Sequence, residues 1–208
     1  MALENIERKN YISILGSDAT FRQTVSEDTD GAIKREYETS TGAKGFKFEK
    51  KYERLTGIIT EVSFFDGEYG KLLQITIDGL TLSVPTASNF GEDIMKKLPN
   101  IDMTKPVVFT PYSLTDEKGK TKKGVSITQD GKKITNFFRD EVNKKNINGF
   151  PDPTGDEKND KDLWKIYFIT ARKFLENYIQ TNFCKIVPEV SQAQKDFDEI
   201  TADDVKFN

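Results

Sequence analysis

RLTGIITEVSFFDGEYGKLLQITIDGLTLSVP, residues 54–85, decides the fold. Alternation of period two runs through it, the signature of half-buried strands. Thr56, Ile58, Thr60, Val62 and Phe64 fall on one face of a first strand. Leu55, Gly57, Ile59, Glu61 and Phe65 fall on the other. Asp66-Gly67-Glu68-Tyr69-Gly70 reads as a hairpin loop, with two glycines to take positive φ. The return strand sets Leu73, Ile75 and Ile77 against Leu72, Gln74 and Thr76. Asp78-Gly79 is a second tight turn, and Leu80, Leu82 and Val84 make a third strand closed by Pro85.

The period then changes. Ser88 or Asn89 can cap a short helix, with Glu92 and Asp93 in its first turn and Lys96 and Lys97 in its last, before Pro99 stops it. Residues 105–112 form a fourth strand, with Val107 and Phe109 opposite Val108 and Tyr112. A long basic loop is expected over 113–123, a fifth strand over 124–129, and a turn at Asp130-Gly131. Upstream, residues 1–31 are polar and weakly patterned, 32–38 and 46–53 read as two strands, and 39–42 reads as their turn. Downstream, 143–160 is a linker rich in turn residues. A helix then runs from about Asp160 to about Phe183, carrying Trp164, Tyr167, Phe168, Ala171, Phe174, Leu175 and Tyr178 at helical spacing. Hairpin, strand, short helix, strand, loop and strand is the order of an OB-fold. The expected class is therefore mainly β. It has an OB-fold-like five-stranded Greek-key barrel, an N-terminal β extension, a short helix between strands 3 and 4, and a C-terminal α-helix. The expected divisions are 1–145 for the domain with its extension, 146–188 for the linker and C-terminal helix, and 189–208 for an acidic tail.

Composition narrows the chemistry. The 208 residues contain no histidine, which removes Ser-His-Asp triads, Cys-His dyads and HExxH zinc sites. Cys184 is the single cysteine, so no intrachain disulfide or thiolate cluster can form. There is no P-loop or GxGxxG motif. Asp66 and Asp78 each precede a glycine, as ordinary turn residues do. No catalytic residue, metal or cofactor is expected. No apolar run nears the roughly 18 residues of a membrane span, and the first nine residues lack a signal-peptide core. The expectation is a cytoplasmic protein with no membrane partner.

A net charge of −3 hides a partition. Residues 189–208 hold six acids against two lysines, a segment charge of −4, which leaves +1 for residues 1–188. Residues 118–145 hold nine Lys and Arg against three acids, a local +6.

An OB-fold binds oligonucleotides on one face, flanked by the loops after its first and fourth strands. Those loops carry Phe64, Phe65 and Tyr69 beside Lys71, and Lys118, Lys120, Lys122 and Lys123. Lysines neutralise phosphates and release counterions without sequence preference. Aromatic faces stack on unpaired bases, which a duplex does not offer. Tyr112 is added as a stacking candidate, and Lys132 and Lys133 as phosphate contacts. Each feature also has a plainer meaning. At most one of the adjacent Phe64 and Phe65 points into the core, Tyr112 and Phe137 serve core or groove equally, and a lysine run is commonly a solvated loop. The stripe from Trp164 to Tyr178 reads as packing, against the barrel or a second copy in a homodimer. DNA and RNA are not distinguished, because stacking and phosphate contacts serve both.

The layout resembles the single-stranded DNA-binding proteins of DNA bacteriophages and their bacterial relatives. The matching parts are residues 54–138 and the tail Asp196-Phe197-Asp198-Glu199-Ile200-Thr201-Ala202-Asp203-Asp204-Val205-Lys206-Phe207. The resemblance covers architecture and charge layout over about half the chain. It departs from the family in ending on Asn208, in Lys206 among the tail acids, and in the size of the last helix. It implies a protein that coats single-stranded DNA during replication, recombination or repair, within the bacterial host cell. It also implies a tail that recruits replication or recombination proteins through Asp198, Glu199, Asp203, Asp204 and Phe207. The other reading is a phage structural or assembly protein that uses a small barrel as a protein-interaction module.

Overall fold

The computed structural model describes residues 10–39 and 42–184. Two hairpins open the chain: β1 (Asn10–Leu15) with β2 (Thr20–Val25), and β3 (Ile33–Glu38) with β4 (Lys44–Tyr52). There follow β5 (Leu55–Gly57), β6 (Ile59–Gly67), β7 (Gly70–Ile77), β8 (Leu80–Pro85) and α1 (Asn89–Lys97). The remaining elements are β9 (Val107–Thr115), β10 (Thr121–Gln129), the two-residue β11 (Lys132–Lys133) and α2 (Lys161–Asn182). One sheet has the order β3-β4-β2-β1-β8-β7-β6 and the other β11-β10-β9-β5. The chain is mainly β, with a C-terminal helix, as the alternation implied.

The expected barrel does not close. The reason lies at two strand edges, because an unpaired edge leaves a row of unsatisfied backbone groups. The free edge of β8 is taken by β1, which runs parallel to it from Asn10 opposite Leu80 to Ser13 opposite Ser83. The edge of β10 away from β9 is taken by β11 at 128–129 and by side chains of α1 at Val125. Asp93 accepts a 2.7 Å bond from the Val125 N–H, and Lys97 donates a 2.6 Å bond to the Val125 carbonyl. Lys97 in turn pairs with Asp93 at 2.7 Å. Opposite Val125 on β9 stands Pro111, which has no N–H to offer.

The long strand over 55–67 is in two pieces. Leu55–Gly57 pairs with β9 in the smaller sheet, and Ile59–Gly67 pairs with β7 in the larger. A bulge between Ile59 and Glu61 inserts one residue, which moves later side chains to the opposite face. Leu55 and Ile59 are therefore buried along with Val62, while Ile58 is exposed, so the single alternation expected over this stretch does not hold. Residues 10–25, read as unpatterned, are a hairpin. Residues 113–115 and 121–123, read as loop, are paired strand, so the lysine-rich segment is a β arm closed by a turn at 116–120.

One face of the larger sheet packs on the smaller sheet and α1. Ile12, Phe21, Leu73, Ile75 and Leu82 share a single core with Phe109, Val125 and Ile127, and with Phe90, Ile94 and Met95 of α1. Ser88 caps α1 through a 3.0 Å bond from the Gly91 N–H. In α2 the stripe buries Ala171, Leu175 and Ile179. Phe138 meets Phe174 at 5.6 Å and Tyr178 at 5.0 Å, ring centre to ring centre. No helix among the described residues is long and apolar enough to cross a membrane.

The edge contact at Val125 is testable. Asp93→Ala strands a buried ammonium and a backbone N–H together, a loss of about 3 kcal/mol in unfolding free energy. Urea titration of the two proteins measures it, and an unchanged midpoint would show that α1 does not hold the β10 edge.

Candidate functional site

Four segments meet at one end of the molecule. The β6–β7 tip returns at Gly67 opposite Gly70. At its base the Lys71 carbonyl accepts bonds from Thr86, two residues before the α1 cap. The N-terminus of α1 and the β9–β10 arm bound a cleft of about 720 Å³ lined by Asn89, Leu114, Asp116, Lys120, Lys122 and Lys123. Lys123 bonds the Gly16 carbonyl at 2.5 Å, which ties the β1–β2 turn to the same end.

The expected residues fall into distinct positions. Phe64 faces inward and packs against the core, with the Lys71 ammonium 5.6 Å from its ring centre. Phe65, paired with Leu72, points the other way and is 54% exposed. Tyr69 is 86% exposed at the tip, more than any packing role requires. Lys71 lies 3.8 Å from Asp66. Lys118, Lys120 and Lys122 are exposed along the arm, and Lys123 is half-buried by its bond to Gly16. The Asp116 carboxylate accepts the backbone N–H groups of Lys118 and Lys120 and so shapes the arm's turn.

Tyr112 is not a free platform. Its ring lies across Gly124, where an added Cβ would come within 2.6 Å of the phenol oxygen. Burial, together with the nearby Asp93 charge, holds its phenol above the ordinary value. Lys132 and Lys133 are exposed at the opposite end of β10. The nine residues of β10 place them about 26 Å from the arm's turn. Asp198, Glu199, Asp203, Asp204 and Phe207 lie outside the described residues. Among the described residues, no group of three or more Asp, Glu or Cys side chains could hold a metal ion.

The outer face of the larger sheet carries a second cluster that sequence reading missed. Arg22, Arg35, Lys47 and Lys51 come from β2, β3 and β4, and the strand registers turn all four to the same side. Glu49 and Asp18 stand between them. Glu49 pairs with Lys47 at 2.7 Å, Arg35 at 2.8 Å and Arg22 at 3.0 Å. Asp18 pairs with Arg22 at 2.8 Å and Lys51 at 2.9 Å. Four cations thus share two carboxylates, and the buried Arg22 Nε has no acceptor. Burial pushes the Glu49 carboxyl up, but bonds from Lys47, Arg35 and Arg22 outweigh it and hold the group at about 2. Asp18 is likewise held well below the usual carboxylate range by Lys51 and Arg22, against the opposing effect of burial. A signal existed in the sequence: three of the four cations adjoin an aromatic residue, in Phe21-Arg22, Phe46-Lys47-Phe48 and Lys51-Tyr52. Only the strand pairing brings them together.

Compared with protein-family models, curated proteins and solved structures, the chain matches none.

The Glu49 carboxyl predicts an acid response. Its folded value of about 2 lies below the usual 4.5, so its contribution to stability is fully present above about pH 4.5. That contribution fades as pH falls towards about 2. Chemical denaturation of wild type and Glu49→Gln across this window checks it. The gap in stability should be widest at neutral pH and shrink on acidification, whereas a constant gap would mean the carboxylate's charge is not what stabilises the sheet.

Proposed function

We propose that the protein binds single-stranded nucleic acid without sequence preference and coats exposed DNA strands, as the resemblance to phage single-stranded DNA-binding proteins implies. The observation that carries this reading is the grouping at one end of the fold. The solvent-facing Tyr69 and Phe65 share that end with the lysine arm and the N-terminus of α1. Exposed rings offer stacking surfaces for unpaired bases. The arm's lysines and the helix N-terminus offer positive charge to phosphates. The order of β6, β7, β8, α1, β9 and β10 keeps the strand and helix sequence of an OB-fold core. In this reading β1 and α1 cover the edges that closure would otherwise pair. Lys132 and Lys133 stand apart from the grouping and have no part in it. Tail acids that recruit replication or recombination proteins belong to the same proposal.

A second reading has its own observation. The N-terminal half of α2 leaves Ile166, Phe168 and Ile169 about half exposed, with Trp164 stacked on Phe168 at 5.4 Å. A structural or assembly subunit would use that face on another copy. Self-association there would shift the emission of Trp164, the single tryptophan, as protein concentration rises.

Fluorescence anisotropy of labelled oligo-dT at two salt concentrations, with unlabelled duplex as competitor, decides between the two. The nucleic-acid reading expects salt-sensitive binding that duplex fails to displace. Tyr69→Ala should weaken it by about 1–3 kcal/mol. Neutralising Lys118, Lys120 and Lys122 to Gln should reduce the salt slope by roughly 2. A protein that ignores oligo-dT at low salt while its Trp164 emission tracks concentration is the assembly subunit instead.

A further inference from the structure

We propose that the outer face of the seven-stranded sheet is a second, continuous track for the same single strand, so that the N-terminal hairpins are part of the binding surface. This rests on the nucleic-acid reading above and extends it to residues outside the core of five strands and a helix.

Three aromatic side chains on that face are exposed: Phe65 on β6, Tyr11 on β1 and Tyr37 on β3. The strand order spaces them regularly, with three strand steps from β6 to β1 and three more from β1 to β3. At about 4.8 Å per step each interval is about 14 Å across the strands, and the registers offset successive rings by four residues, about 13 Å, along them, so the three lie on a diagonal. The cations fill the second interval: Arg22 on β2, Lys47 and Lys51 on β4, and Arg35 on β3. Between the first two aromatics and the cations lies a groove of about 410 Å³ lined by Tyr11, Ser13, Arg22, Lys47, Phe65 and Gln74.

The charge balance selects the occupant. Among the described residues, the cluster sets four cations against two carboxylates, a surplus of two positive charges. Glu49 and Asp18 hold the four side chains in place and stay ionised at neutral pH. An ordered array of surplus cations between exposed rings fits a chain that alternates phosphates with flat apolar bases. A duplex would present the phosphates without the bases. The track begins at Phe65, which flanks the β6–β7 tip, so one strand could pass from the tip onto the sheet without leaving the protein.

Lys47→Gln with Lys51→Gln tests this. Each acid keeps another cation, because Arg22 pairs with both and Arg35 also holds Glu49. Wild type, this variant and the arm variant (Lys118, Lys120 and Lys122 to Gln) are titrated with labelled oligo-dT of about 6 and about 20 nucleotides. The expected result is a loss of about tenfold for K47Q/K51Q on the long oligonucleotide, with a salt slope smaller by roughly 1.4 and little change on the short one. Wild-type affinity and slope in K47Q/K51Q, with the arm variant weakened, would overturn the track while leaving the nucleic-acid reading intact. No binding by wild type at either length would sink that reading itself, and the track with it. Photocrosslinking of wild type to halogenated oligonucleotide decides the matter if the double variant does not fold. Adducts on the peptides bearing Tyr11 or Tyr37 support the track, and adducts confined to the tip and arm refute it.

Discussion

Both backbone groups of Val125 point away from the neighbouring strand and are satisfied by side chains of one helix, Asp93 for the N–H and Lys97 for the carbonyl. Much of the architecture follows from this exchange. The edge of β10 away from β9 is covered by α1 at Val125 and by β11 at 128–129, and β10 and β8 do not meet. The edge of β8 is then open, and β1 pairs with it in parallel. From β1 the sheet grows outward through β2, β4 and β3 until it has seven strands. The short helix between β8 and β9 is therefore an element that keeps the core strands in two sheets.

That division also shapes the candidate surface. Sheet growth through β1 to β4 makes a broad outer face on which four cations, two acids and three exposed aromatic rings take fixed places. The tip and arm, by contrast, gather through loop geometry and through the Lys123 bond to Gly16. The two regions obey different physics. The face is held by shared ion pairs with a nearly buried carboxylate at the centre, and the tip and arm by backbone pairing that leaves their side chains free to move.

Much of this was legible in sequence, and the misses have physical reasons. The hairpin and third strand over 59–85 stood out because one face is core and the other polar. Ser88, Glu92 and Lys97 marked α1 through capping and charge placement, and Asp78-Gly79 and Asp130-Gly131 marked turns that adopt positive φ in the structure. β1 escaped because Tyr11, Ile12, Ile14 and Leu15 blur its alternation. The arm escaped because both its faces meet water, so Ser113, Leu114, Lys122 and Lys123 show no core-facing period. The bulge at Thr60 cannot be read from alternation alone, since each half of the strand alternates correctly by itself. The ion cluster needed register, and Arg22, Arg35 and Lys47 are too far apart in the chain to form a motif. The crossing of Tyr112 over Gly124 likewise needed the pairing of two strands to be known.

The parallel pairing of β1 with β8 fixes an order of events during synthesis. β1 is complete on the ribosome about seventy residues before its partner is made. The Lys123 that tethers its turn arrives later still. Parallel pairs between distant segments carry a large loop-closure cost and form slowly. The nascent N-terminal hairpin must therefore wait with its apolar side, Ile12 and Phe21, unburied until the middle of the chain appears. The segment that completes the larger sheet is thus the one most exposed to mispairing with a neighbouring nascent chain, and dense polysomes are where such errors would arise.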